Sequence, residues 1–142
     1  MTRTALVTVL LTLLFTAVSL AEDVEPAADP AAAQIEQGRY LANEVAMCVQ
    51  CHSPRDRQGE LRTDRLFTGG AVPVTNPFDG PRWAFTAPNL RNLPGYTEAD
   101  FVRLMTTGIR PDGTHPRSPM PPYRMHREDA LALWSYLKSI GR

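Results

Sequence analysis

The stretch GRYLANEVAMCVQCH, residues 38–52, decides how the rest of the chain is read. Gly38, Leu41, Val45 and Cys48 recur at i, i+3, i+7 and i+10, a helical stripe. Gly38 on that stripe is free to let another element approach closely. The spacing predicts a helix that runs straight into Cys48-Val49-Gln50-Cys51-His52 and sets two thiols one short turn apart, beside an imidazole. Cys48 and Cys51 are the only cysteines among 142 residues, so any thiol chemistry of the chain is concentrated here.

Cys-x-x-Cys-His is the spacing of a c-type haem attachment site. Two thiols so placed can add across the two vinyl groups on one edge of a porphyrin. The next residue then sets its imidazole beneath the iron as the proximal ligand. Three other readings compete. A thioredoxin-like redox pair wants a strand before it and a helix after it, whereas here a helix precedes and a Pro-rich loop follows. A structural zinc site takes four N/S ligands, and His52, His115 and His126 with two Cys show no second Cys-x-x-Cys or His-x₃₋₅-His. A structural disulfide is the third, since exported proteins favour them.

Export is itself indicated. Residues 5–20 (ALVTVLLTLLFTAVSL) carry no charge, follow Met1-Thr2-Arg3 and end in Ser19-Leu20-Ala21 before Glu22. That is the layout of a signal peptide over residues 1–21, cleaved after Ala21. The 16-residue run is slightly short for a spanning helix, which needs about 18 or more. Left uncleaved it would instead tether the protein to a membrane. With no other apolar stretch of spanning length, the mature chain is expected to be water-soluble and periplasmic.

Composition limits the partners. Across the whole chain 15 Lys+Arg balance 15 Asp+Glu. Four of the acids lie in EDVEPAADPAAA, residues 22–33, so residues 34–142 hold 14 basic against 11 acidic groups. This excess is too small and dispersed for nucleic acid, which wants a clustered basic stripe. All the basic residues but Lys138 are arginine; arginine can fork onto carboxylates, and a high-GC genome gives the same bias.

Residues 22–33 combine acids, Pro and Ala with almost no large apolar group, and read as a flexible leader. The domain then occupies residues 34–142. Residues 53–94 contain six prolines and four glycines without a period of 3.6 or 2, far longer than an ordinary connection. Thr97-Glu98-Ala99-Asp100 has the form of a capping box. Phe101, Leu104, Met105 and Ile109 follow at helical spacing, Gly108 is placed to end that helix and Pro111 to prevent continuation. The last helix is expected at about 127–140, with Ala130, Leu133, Trp134, Leu137 and Ile140 on one face. Three helices and two long loops leave few residues for a core, so a bound prosthetic group would fill the centre.

The second axial ligand decides what such a haem can do. The candidates are Met47, Met105, Met120, Met125, His115 and His126. Met47 adjoins the attachment site and Met105 lies on a helical stripe, which makes both core residues. Met120 stands in Ser118-Pro119-Met120-Pro121-Pro122, where prolines fix the backbone and remove N–H donors. A loop of that kind can hold a thioether over the distal face. Met125 is the runner-up. A Met/His pair closes the sixth position and raises the potential.

With these motifs in place the chain resembles the class I c-type cytochromes, specifically mono-haem domains similar to cytochrome subunits of bacterial periplasmic alcohol and aldehyde dehydrogenases. The matching stretches are GRYLANEVAMCVQCH, APNL, YTEADFVRLMTTGIRPDG and MPPYRMHREDALALWSYLKSI. The resemblance implies an all-α cytochrome c fold around one covalently bound haem c, with the first and last helices crossing near Gly38 and the Leu133 and Leu137 face. It implies His52 and Met120 as iron ligands. It further implies that Pro88, in Pro88-Asn89-Leu90, accepts the Nδ1–H of His52 through its carbonyl, a bond that orients the imidazole. The family often hydrogen-bonds haem propionates from the loop holding Arg82, Trp83 and Arg91. The two Arg read equally well as solvated charges and Trp83 as a core filler. This chain departs in spacing: 35 residues, 53–87, separate His52 from Pro88, an insertion of unknown purpose around 66–85.

These features imply an electron carrier rather than an enzyme, exchanging single electrons with a donor and an acceptor protein, a dehydrogenase or an oxidase among them. Two alternatives stand beside it. One is a fixed haem subunit of a periplasmic dehydrogenase, docked through the 53–87 insertion. The other is a sensor or peroxidase-like protein with an open sixth position, served by His115 or Arg117.

Overall fold

The structure is a computed structural model that describes residues 29–77 and 82–141; the expected signal peptide, residues 1–21, lies outside them. The first helix, α1 (Pro30–Tyr40), begins four residues before the expected domain start. Asp29 Oδ1 accepts from Ala31 N at 3.0 Å and Pro30 occupies the first helical position. An N-cap acid, a proline at N1 and three alanines are strong local reasons for a helix. The end of the segment read as a leader is therefore helical.

The helix does not continue into the cysteine motif. At Leu41 it widens into a π-helical turn (Leu41–Val45), closed by Ala46 N donating to Leu41 O at 2.8 Å. Met47 then takes a left-handed conformation, φ 50°, and a new helix, α2 (Cys48–His52), starts afresh.

The capping box is formed: Thr97 Oγ1 accepts from Asp100 N at 3.2 Å and starts α3 (Glu98–Thr107). Gly108, at φ 69°, ends it, its N–H donating to Leu104 O at 2.8 Å. The last helix, α4 (Arg127–Ser139), starts at His126, which makes no side-chain cap bond. Ala130, Leu133 and Leu137 are buried as the pattern requires, and so is Ala132.

Helices α1 and α4 cross at Gly38. A Cβ there would overlap the carbonyl oxygen of Ala132 and come within 2.8 Å of Tyr136 Cβ, so only glycine lets the two backbones meet this closely. Behind the crossing lies the core of Phe67, Phe101, Met105, Leu133 and Leu137. Phe101 meets Trp134 at 5.8 Å and Tyr96 at 6.4 Å between ring centroids, the separations at which aromatic pairs attract. The fold is all-α, as expected. Among the described residues sheet is confined to one antiparallel pair, β1 (Gly70–Ala71) and β2 (Thr86–Ala87), with Gly70 opposite Ala87.

The long insertion is fastened at several points. Ser53, fully buried, accepts from Phe67 N at 2.9 Å. Phe67, at φ 61°, turns its ring edge-on to Tyr136 at 5.8 Å. Gly69 N donates to His52 O at 2.8 Å. Among the described residues no helix is long and apolar enough to cross a membrane.

Gly38→Ala is expected to lower stability by about 1–3 kcal/mol through overpacking, in spite of the roughly 1 kcal/mol by which Ala exceeds Gly as a helix former. Urea denaturation of the variant against the parent checks this.

Candidate functional site

Helix α2 is short, and its two cysteines are free and half-buried. His52 closes it with 8% of its surface exposed. Its Nδ1 lies 2.8 Å from the carbonyl oxygen of Pro88. A carbonyl only accepts, so the ring proton sits on Nδ1 and Nε2 keeps its lone pair. Burial pushes the imidazole below its ordinary pKa, with the Pro88 bond opposing; the neutral, ligating form is favoured. Burial likewise pushes the Cys48 thiol up to about 11. Pro88 is held where it is because β2 immediately precedes it and pairs with β1, one residue after the Gly69 bond to His52.

Cys48, Cys51 and His52 all face one cavity of about 940 Å³, within the roughly 300–1,000 Å³ of cofactor sites. It reaches into the core, where Leu90, Leu93, Phe101, Leu104, Leu133 and Leu137 form its apolar wall. Left unfilled, such a wall would lack packing partners on its cavity side. Among the described residues Arg110 and Arg117 are the charged side chains on the lining, and no carboxylate lies there. Trp83 also lines it, and its buried Nε1–H has no partner among the described residues.

This set fits a c-type haem. Two thiols on one turn match the vinyl edge, a neutral imidazole matches the iron, and an apolar wall matches the macrocycle. Two arginines and an unpartnered buried N–H match the propionates. Among the described residues no group of three or more His, Cys, Asp or Glu side chains converges as a metal site.

The candidate distal ligands separate. Met120, Met105 and Met47 line the cavity. Met105 is fully packed in the core and Met47 is half exposed at the edge. Met125, His115 and His126 do not line it. Met125 packs against the core instead, and His115 Nδ1 lies 2.8 Å from Gly108 O. Of the three loop residues considered for propionates, only Trp83 reaches the cavity; Arg91 donates from Nε to Leu66 O at 2.8 Å, and Arg82 is exposed. Arg110 and Tyr123 on the cavity lining and Ser53 behind it were not foreseen from the sequence. They sit in stretches without periodicity, where only the folded chain brings them to the cavity or its supports.

No family model matches the chain. A curated relative from Cereibacter sphaeroides, described as "Diheme cytochrome c-type", is 26% identical over 111 residues. The match is to a c-type cytochrome. It covers 74% of this chain and 35% of the relative, so the chain spans about a third of that protein's length. The similarity supports a c-type cytochrome with haem c and does not fix the number of haems.

Ser53→Ala would leave the buried N–H of Phe67 without its acceptor, at a cost of about 1–3 kcal/mol. The expected result is a lower urea midpoint of the haem-loaded protein with an unchanged visible spectrum.

Proposed function

We propose that this chain is a periplasmic one-electron carrier with a single haem c, attached by thioether bonds from Cys48 and Cys51 and ligated by His52 and Met120. The observation that carries the reading is one shared cavity. It gathers both thiols, an imidazole with its Nδ1 proton already committed to Pro88, and the thioether of a proline-fixed loop. The residues at 1–21 supply the export, and the similarity to a c-type cytochrome supports electron transfer rather than catalysis.

When bound, the haem supplies the one-electron redox couple. The chain's own residues set its conditions. Pro88 holds the imidazole of His52 in orientation and strengthens it as a donor. The apolar wall would exclude water, and the Met120 thioether together with His52 would raise the potential of the bound group. Arg110 and Arg117 add positive charge, which favours the reduced form. With His52 and Met120 both held to the iron, the chain would offer no position for a substrate, and the bound haem would supply one-electron exchange with redox proteins, a dehydrogenase or an oxidase.

A second reading, a fixed haem subunit of a periplasmic dehydrogenase, is favoured by one observation. Phe85 on the insertion is 71% exposed and Met47 51% exposed, and both line the same cavity. An apolar mouth of this kind suits a lasting interface. Co-purification of a stoichiometric partner would select it.

The test of ligation is a visible spectrum of the dithionite-reduced, haem-loaded protein before and after carbon monoxide. The expected result is a low-spin spectrum that carbon monoxide leaves unchanged, and Met120→Ala converting it to one that binds carbon monoxide readily. A parent protein that binds carbon monoxide at once has an open sixth position, and the carrier reading fails.

A further inference from the structure

The loop around Met120 is tied on both sides by segments distant in sequence. Before it, Trp83 pairs with Ser118 in a parallel bridge, and Ala84 N donates to Ser118 O at 2.7 Å. After it, the hydroxyl of Tyr123 donates to Ala46 O at 2.8 Å across 77 positions. Four of the seven residues 116–122 are proline and have no N–H to offer. A loop so poor in donors depends on bonds that others bring.

One tie ends beside the cysteine motif and the other leads back to it through the sheet. Ala46 is two residues before Cys48. Trp83 and Ala84 lead into β2, whose partner β1 follows Gly69, and Gly69 is bonded to the carbonyl of His52. The insertion therefore spans from the proximal histidine to the flank of Met120. Tyr123 lies on the cavity wall, and burial pushes its phenol up to about 12, so its hydroxyl stays a donor across the ordinary pH range.

Resting on Met120 as the sixth ligand, we propose that Tyr123 and the Trp83 and Ala84 strap are positioning residues that hold the Met120 loop closed against exchange of the thioether for another ligand. This gives the 53–87 insertion a purpose: it ties the two ligand segments together. Loss of one such bond weakens the closed loop by roughly 0.5–1.5 kcal/mol, or about 2- to 10-fold in the closed-to-open ratio.

The experiment is an imidazole titration of the oxidised, haem-loaded full chain, followed by the long-wavelength sulfur-to-iron band and by the binding constant. Tyr123→Phe, which keeps the ring, and Ala84→Pro, which removes the donor, are each expected to tighten imidazole binding about 2- to 10-fold. Thr97→Ala, which removes the cap at the start of α3 and weakens the fold, is expected to leave it unchanged. In a Met120→Ala background Tyr123→Phe is expected to have no effect, the coupling that identifies a shared role.

Binding by Tyr123→Phe equal to the parent's, with the band present in the parent and lost in Met120→Ala, overturns the proposal and leaves the ligation reading intact. An equal shift in Thr97→Ala overturns it too, because global stability would then be the cause. A parent without the band, indistinguishable from Met120→Ala, overturns the ligation reading and this proposal together.

Discussion

The bond from His52 Nδ1–H to the carbonyl of Pro88, 2.8 Å long, is the constraint around which the rest is arranged. It fixes the tautomer of a buried imidazole and joins two segments 36 positions apart. For the bond to form, the chain after the motif must return to it, and the intervening loop is organised for that return. Gly69 bonds back to the carbonyl of the same histidine, β1 pairs with β2, and β2 delivers Pro88. Proline suits the position because it has no N–H requiring a partner while its carbonyl is free to accept.

The helices serve the same end from the other side. The closeness of α1 and α4 at Gly38 gives the small domain a rigid corner, and α3 packs on α4 through Phe101 and its aromatic neighbours. What these helices do not do is close the centre. Leu133 and Leu137 take part in the core and also line the cavity, so the hydrophobic interior continues into the site. Stability and cofactor binding are therefore one packing problem in this chain.

Much of this was legible in the sequence because it rests on short, local rules. The capping box at Thr97, the left-handed glycine at 108 and the apolar face of α4 each follow from a few adjacent residues. Gly38 stood out as the small residue of a helical stripe. The start of α1 was hidden because Ala and Pro in an acidic segment resemble a leader, although Asp29 followed by Pro30 is also a helix signal. The break at Met47 was hidden because the apolar stripe continues through it while the backbone does not. The supports of the site, the Ser53 hydroxyl on Phe67 N–H and the backbone bond of Ala84 to Ser118, cross aperiodic stretches, and no spacing in the sequence encodes them.

The left-handed Met47 bears on how the sequence can vary. At φ 50° a side chain branched at Cβ is crowded by its own backbone, whereas asparagine or glycine is accommodated. Valine, isoleucine and threonine are thereby disfavoured at a position that the cysteine motif, written by its usual letters, leaves unrestricted. The working signature of this turn starts one residue earlier than its chemistry does.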